Sequence, residues 1–189
     1  MVAVMLAAVP LAWADPWPSV TIPLSNARDL RAAAPRPPPG DVSNRARALW
    51  QAIQTAAPRD ANAALAFFLP REPFLAIKDM SGADRYFGTL VRAFRTDINR
   101  YHNAWSASAH GTFVRFDLST ACTWMAVGHE ANRLPYWSCY HSRLVARADG
   151  REHAMDVRVM IHWGDHWYCT HLGPASTSSG VSGVSDHRP

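Results

Sequence analysis

The sequence predicts an α+β domain in which N-terminal helices pack on an antiparallel sheet. Apolar residues in the first half of the chain recur at spacings of three and four, which is the period of an amphipathic helix. After Gly111 the apolar and polar residues alternate with a period of two, which is typical of strands. The chain has 189 residues, and its two ends have compositions that resist regular structure. A single folded domain between disordered flanks is therefore expected.

The first 14 residues resemble a secretory signal peptide. The apolar run MVAVMLAAVPLAWA ends in Ala12-Trp13-Ala14, an A-x-A cleavage pattern. The run is shorter than the roughly 20 apolar residues that span a bilayer. No basic residue precedes it, so an N-terminal anchor helix is the alternative. We predict that residues 1–14 are removed, that the mature chain has no transmembrane segment, and that the protein is periplasmic or secreted.

The flanks of the predicted domain are rich in residues that disfavour helix and sheet. Residues 15–42 contain many prolines, including the run Pro37-Pro38-Pro39, and predict an extended, disordered arm. Residues 173–189 are small, polar and rich in Gly and Ser, which predicts a disordered tail. The folded domain is then expected over residues 43–172.

Two short helices are expected before the clearest element of the chain. Residues 43–57 predict a helix that ends before Pro58, and a second short helix is expected from Asp60 to Pro70. The following segment, REPFLAIKD, is interpreted as a loop with room for one turn.

The third predicted helix runs from Ser81 or Asp84 to about Ala104. Its apolar residues form one stripe with a 3.6-residue period. The stripe predicts a face that packs against the core, and it comprises Phe87, Leu90, Val91, Phe94, Ile98, Tyr101 and Trp105.

Two hairpin turns set the register of the predicted sheet. A turn at Asp149-Gly150 places Arg147 opposite Glu152, and Arg143 opposite Asp156. Both are pairs of opposite charge, which favour this register.

A second turn, at Gly164-Asp165, sets the register of the last hairpin. This turn places His162 opposite Trp167, and Met160 opposite Cys169.

This register divides the strand residues between two faces. The face expected to pack on the third helix carries Tyr140, Leu144, Met155, Val157, Val159, Ile161, Tyr168, Thr170 and Leu172. The opposite face is charged at one end, with Arg143, Asp156, His141, Arg158 and His171. At its other end it carries a surface of aromatic and sulfur-containing residues, namely Trp124, Trp137, Trp167, His162 and Met160.

Two interpretations of the aromatic and sulfur face stay open. It is either a second packing layer beneath a loop or the proline-rich arm, or a surface that docks a glycan, a proline-rich peptide or a partner subunit. An exposed surface of this kind also favours a homodimer.

The three cysteines are an odd number for an exported protein. A hairpin around residues 128–133 would place Cys122 opposite Cys139, which permits a disulfide. Three buried thiols are the alternative. Cys169 lies close to His171 in sequence, which is weak support for a catalytic cysteine because such a cysteine needs a base that a third group orients.

Neither a metal site nor a nucleic-acid site is predicted. The sequence has no H-E-x-x-H and no C-x-x-C motif, and His162 and His166 lie across a turn rather than on one helical face. No cofactor motif is present. The net charge is +4, but the basic residues are scattered among acidic ones, whereas nucleic-acid binding favours a run or a stripe.

Helices followed by long, hairpin-connected strands resemble the nuclear transport factor 2-like superfamily, which includes ketosteroid isomerase-like and SnoaL-like proteins. The ending MIHWGDHWYCTHL looks like the closing hairpin of that superfamily, and the resemblance covers residues 43–172. It implies a curved sheet that wraps around a long helix and encloses a cone-shaped pocket. The chain is also similar to uncharacterised exported bacterial proteins.

The resemblance implies a pocket but does not choose a function. Isomerase-like members use a carboxylate base with a tyrosine or a second acid, and the corresponding region here offers Tyr140, Tyr168 and His153, with Asp97 and His102 at the edges of the helix stripe. No Asp or Glu is expected on the inner face of the sheet. The leading hypothesis is therefore a non-catalytic domain that binds a small apolar ligand or an envelope protein. The alternative is a small-molecule enzyme of isomerase, dehydratase or hydrolase type that uses these residues.

Overall fold

A computed structural model describes residues 36–55, 64–106 and 111–173. The predictions for the signal peptide at 1–14, for residues 15–35 of the arm and for residues 174–189 of the tail lie outside these residues. In the described part of the chain, three α-helices precede an antiparallel sheet of five strands, so the α+β class is confirmed. None of the helices in these ranges is long and apolar enough to cross a membrane.

The helices are α1 (Val42–Thr55), α2 (Arg71–Ile77) and α3 (Ala83–Ser106), with a short 3-10 helix at Leu65–Phe67. The sequence predicted α1 and α3 to within about two residues at the described ends.

The prediction of a loop at REPFLAIKD was wrong, because α2 occupies it. Glu72 lies in the first turn, where its negative charge interacts favourably with the positive end of the helix dipole. Pro73 is tolerated in the same turn, because a backbone N–H at this position would have no acceptor within the helix. Phe74 and Ile77, three residues apart, are buried on one side of this helix.

The strands are β1 (Thr112–Asp117), β2 (Cys122–Met125), β3 (Tyr136–Ala148), β4 (Arg151–Trp163) and β5 (His166–His171). β1 and β2 pair with opposite halves of β3, β4 pairs with β3, and β5 pairs with β4.

The predicted register of both hairpins is confirmed. Arg147 lies opposite Glu152, and their side chains form an ion pair at 3.0 Å. His162 lies opposite Trp167, as the Gly164-Asp165 turn requires. Two-residue turns thus fix which side chains share a face of the sheet.

The helices cover the face of the sheet that carries Tyr168. The guanidinium of Arg45, on α1, lies 4.4 Å from the centre of the Tyr168 ring. The Phe67 ring packs edge-on against Phe116 of β1. The sequence assigned this face to the third helix, and Trp105 of α3 does pack edge-on against His153 of β4, but α1 and the 3-10 helix contact the face as well.

The folded region extends beyond both predicted limits. Residues 36–41, predicted to be part of a disordered arm, lie against the sheet, and the carbonyl of Pro38 accepts a hydrogen bond from Trp167 Nε1 at 3.0 Å. Gly173, predicted to begin the tail, is buried, and its N–H donates to the Asp156 carbonyl. The Tyr101 hydroxyl donates to the Gly173 carbonyl at 2.9 Å.

Candidate functional site

Four aromatic side chains form a row across the sheet, one from each of four adjacent strands. Trp124 of β2 lies opposite Trp137 of β3, Trp137 opposite His162 of β4, and His162 opposite Trp167 of β5. Directly opposed residues share a face, so the four rings lie on one side of the sheet. Ring centres are 5.8 Å apart for the two residues at the β2 end and 5.0 Å apart for the two at the β5 end. We call this set the aromatic row.

Exposure falls along the aromatic row from β2 to β5. Trp124 and Trp137 are half-buried, His162 is 9% exposed and Trp167 is 1% exposed. Met160, predicted on the same surface, is 0% exposed. Of the two interpretations left open by the sequence, the packing layer holds for Trp167, His162 and Met160, whereas Trp124 and Trp137 keep exposed area.

A second row, of sulfur-containing residues, runs beside the first. Cys122 lies opposite Cys139, Cys139 opposite Met160, and Met160 opposite Cys169. Cys122 and Cys139 form a disulfide. Cys169 is a free thiol. The disulfide joins β2 to β3 immediately beside the Trp124–Trp137 pair.

The segment 36–41, which we call the strap, crosses the buried end of the aromatic row. Besides the bond from Trp167 to the Pro38 carbonyl, His166 Nδ1 lies 3.1 Å from an Asp41 carboxylate oxygen. At the other end of the strap, the Arg36 guanidinium donates to the Ser119 carbonyl at 2.7 Å. The strap therefore connects the last hairpin with the loop that precedes β2.

Two polar atoms of the aromatic row are buried without a partner. Trp137 Nε1 donates no hydrogen bond, and His162 Nδ1 neither donates nor accepts one. Burial lowers the pKa of His162 to about 4, so the ring is neutral at pH 7. Native proteins satisfy most buried polar atoms, and exceptions point to a missing partner or water.

The five residues predicted to line the pocket each contact a different neighbour. His102 Nδ1 lies 2.7 Å from the Ile53 carbonyl, which ties α3 to α1. The His153 ring packs edge-on against Trp105 at a centre distance of 5.9 Å. Both histidines thus contact residues of the helix layer.

The acid and the two tyrosines of the predicted pocket are not hydrogen-bonded to one another in the described structure. Asp97 pairs with Arg100 at 3.2 Å, and burial raises the pKa of its carboxyl. The Tyr140 hydroxyl contacts Met125 Sδ at 3.9 Å. The Tyr168 hydroxyl is buried and has no partner, and burial raises its pKa.

Cys169 and the histidines show no reactive arrangement in the part of the chain described. Burial raises the pKa of the Cys169 thiol, which disfavours the nucleophilic thiolate. His141 Nδ1 lies 3.3 Å from an Asp156 carboxylate oxygen at the charged end of the face. In the same ranges, no three His, Cys, Asp or Glu side chains are grouped so that they could hold a metal ion.

Sequence reasoning missed a polar cluster around Lys78, which is the only lysine in the chain. Its ammonium donates to the Glu130 carbonyl at 3.0 Å, and its side chain is only 11% exposed. Asn132 Nδ2 donates to the Tyr136 hydroxyl, while Asn132 Oδ1 is buried without a partner. The one signal in the sequence was the rarity of lysine, because these residues meet only when the β2–β3 loop pairs with the end of α2.

The comparisons with known proteins add no relative. The chain matches no protein-family model, no curated protein and no solved structure at a significant level.

Proposed function

We propose that this chain is an exported, non-catalytic interaction domain whose aromatic row binds an extended, proline-containing segment of an envelope partner. The observation that carries the proposal is the hydrogen bond from Trp167 Nε1 to the Pro38 carbonyl. Aromatic grooves recognise proline-rich segments through ring contacts and through indole N–H groups that donate to backbone carbonyls. The strap is thus an example, within one chain, of the contact that we assign to the partner.

The exposed half of the aromatic row offers the same chemistry as the buried half. Trp124 and Trp137 meet edge to face and are both half-buried, which leaves apolar ring area for proline. Trp137 Nε1 has no acceptor, as Trp167 Nε1 would have none without the strap. Because this atom is buried in the free chain, the Trp137 ring would turn its Nε1 edge outward on binding, where a carbonyl of the bound segment would accept from it.

The cone-shaped architecture of the nuclear transport factor 2-like superfamily remains part of the proposal. Helices that precede a sheet with hairpin-connected β3, β4 and β5 support it. In that architecture, a small apolar ligand would lie between the helices and the sheet. Native mass spectrometry distinguishes this ligand from a protein partner, because a small ligand adds mass that disappears on denaturation.

Peptide binding tests the proposed function. The probe is a fluorescein-labelled decaproline peptide, and its anisotropy is measured with the chain that begins at Asp15. Trp124→Ala removes ring area and Trp137→Phe removes only the donor. Thr123→Ala is the matched control, because Thr123 is exposed and neighbouring strand residues point to opposite faces.

We expect the peptide to bind the unsubstituted chain and the T123A variant equally. Loss of one hydrogen bond of about 1 kcal/mol would weaken binding roughly fivefold in W137F, and W124A should weaken it further. Equal binding by all four proteins, or no binding, would contradict the proposal.

A further inference from the structure

We infer that the Cys122–Cys139 disulfide is a site of thiol–disulfide exchange, in which Cys122 is the exchanging sulfur, Arg36 stabilises its thiolate and Cys139 is the resolving thiol. The substrate class is a dithiol or, in the reverse direction, a disulfide. The inference goes beyond the proposed function and does not depend on it, because it concerns a covalent step. Exchange at Cys122 without any binding of decaproline would keep this inference alone.

The two cysteines of the disulfide differ in their access to solvent. Cys122 lies on β2 and is half-buried, whereas Cys139 lies on β3 and is 0% exposed. Across the sheet from Cys139 lies Met160, which is also 0% exposed. A thiolate that arrives from solvent therefore approaches the disulfide from the Cys122 side.

A positive charge lies against the accessible sulfur. Arg36 Nη1 is 3.4 Å from Cys122 Sγ. The Ser119 carbonyl oxygen is 3.1 Å from the same sulfur, and the Arg36 guanidinium also donates to this carbonyl, at 2.7 Å, which offsets its negative end. A neighbouring guanidinium stabilises a thiolate, and the thiolate is the form that attacks and leaves in exchange. Reduction would thus leave Cys122 beside a cation.

The exposed tryptophans lie on the same side of the sheet as the disulfide. Cys122 and Trp124 are two residues apart on β2, and Cys139 and Trp137 are two residues apart on β3, so each pair points to one face. Trp124 and Trp137 keep exposed ring area. A substrate that packs against these rings would bring its own sulfur next to Cys122.

The exchange needs one dithiol and no other reactant. Its first thiolate attacks Cys122 Sγ, a bond forms between these two sulfurs, and the bond from Cys122 to Cys139 breaks. The electron pair goes to Cys139 Sγ, which takes up the proton that the attacking thiol lost. The second thiolate of the dithiol then attacks the substrate sulfur of the mixed disulfide, and Cys122 leaves as a thiolate beside Arg36. The dithiol has lost two electrons to the cysteine pair and two protons, one to Cys139 and one to solvent.

Two variants that lack the disulfide equally test which sulfur exchanges. Cys139→Ser leaves the thiol of Cys122, and Cys122→Ser leaves the thiol of Cys139. Each variant, in the chain that begins at Asp15, is incubated with oxidised glutathione at pH 7, and intact mass with peptide mapping locates the adduct. We expect one glutathione on Cys122 in C139S and none on Cys139 in C122S. Equal adducts on the two cysteines, or no adduct on Cys122, would overturn the inference.

The unsubstituted chain gives a second measurement that does not depend on the folding of either variant. The protein is reduced with dithiothreitol, the reductant is removed without air, and a short pulse of iodoacetamide is applied under native conditions. Peptide mapping should find Cys122 alkylated before Cys139 and before buried Cys169. Alkylation of Cys122 and Cys139 at the same rate would contradict an exchange site with one accessible sulfur.

Substitution of Arg36 tests the role of its charge. An opposite charge this close raises the thiolate fraction at neutral pH roughly tenfold, and the lower nucleophilicity of a stabilised thiolate offsets part of the gain. We therefore expect Arg36→Gln to slow the alkylation of reduced Cys122 roughly threefold at pH 7, and Arg36→Lys, which keeps the charge, to slow it less. Arg85→Gln, on the exposed side of α3, should leave the rate unchanged. An unchanged or faster rate in R36Q would assign Arg36 to the strap alone and overturn the inference.

Discussion

Trp137 and Trp167 differ in whether the indole N–H has an acceptor. Trp167 Nε1 donates to the Pro38 carbonyl, and Trp137 Nε1 is buried without a partner. A Trp→Phe substitution keeps an aromatic ring and removes the donor. The same substitution at the two positions should therefore have different consequences.

We expect Trp167→Phe to lower the free energy of unfolding by about 1 kcal/mol, because a made hydrogen bond is lost. Trp137→Phe should lower it less, since it also removes a buried unpaired donor. Urea denaturation measures both, and hydrogen exchange should show faster exchange in residues 36–41 of W167F only. A larger loss in W137F would contradict this assignment.

His162 should make the protein less stable in acid. Burial lowers the pKa of His162 to about 4 in the folded chain, whereas the unfolded value is about 6.5. Between these values the unfolded chain binds a proton that the folded chain does not bind. The free energy of unfolding should therefore be highest above pH 6.5 and fall as the pH falls towards 4.

Denaturation of the protein at pH 7, 6, 5 and 4 measures this dependence. His162→Phe should reduce the slope between pH 6 and 4, while the exposed Thr123→Ala, which changes no titratable group, should leave it unchanged. A slope in H162F equal to that of the unsubstituted protein would assign the acid sensitivity to other groups.

At the scale of elements, the disulfide ties the short strand β2 to the long strand β3. Cys122 and Cys139 are 17 residues apart. Closing a loop of this length restricts the unfolded chain and stabilises the fold by about 3 kcal/mol. Replacing both residues by Ser should lower the free energy of unfolding by about this amount.

The thiol titre checks the same assignment. We expect no reactive thiol in the folded chain and one, from buried Cys169, after denaturation without reductant. Three thiols on denaturation would show that the disulfide does not form.

Arg133 fastens α2 to the loop between β2 and β3. Its guanidinium donates to the carbonyls of Leu75 and Lys78, at the end of the helix. Such contacts satisfy carbonyls that have no partner within a helix. Arg133→Ala should cost about 1 kcal/mol and speed exchange in residues 71–77, whereas Arg85→Ala, on the exposed side of α3, should do neither.

The elements that the sequence predicted are those with local signals. Asp149-Gly150 and Gly164-Asp165 specify hairpins through their own backbone preferences, so the register followed. The helix α2 was missed because it is two turns long and contains Pro73, which indicates a loop when read alone.

The sequence predicted which residues share this face and left open whether they are exposed or packed beneath the proline-rich arm. Trp124, Trp137, His162 and Trp167 share a face because of alternation along strands. The burial of Trp167 depends on Pro38, which lies 129 residues away in the sequence. No local sequence pattern predicts a contact between residues so far apart in the chain. The cluster of Lys78 with Glu130 was missed for the same reason.

At the scale of the whole molecule, export is the prediction that sets the context of the disulfide. Expression with residues 1–14 in a bacterial host, followed by intact-mass measurement, should give a chain that starts at Asp15. A retained Met1 would contradict the cleavage site.

The scarcity of lysine has a practical consequence for chemical labelling. Lys78 is the only lysine, and its ammonium is held by Glu130 with 11% of the side chain exposed. Burial lowers the Lys78 pKa, but the same burial restricts the approach of a reagent. Amine-reactive dyes and surface-coupling esters should therefore attach chiefly at the chain's α-amino group, which would give a uniformly oriented, singly labelled protein without any engineered residue.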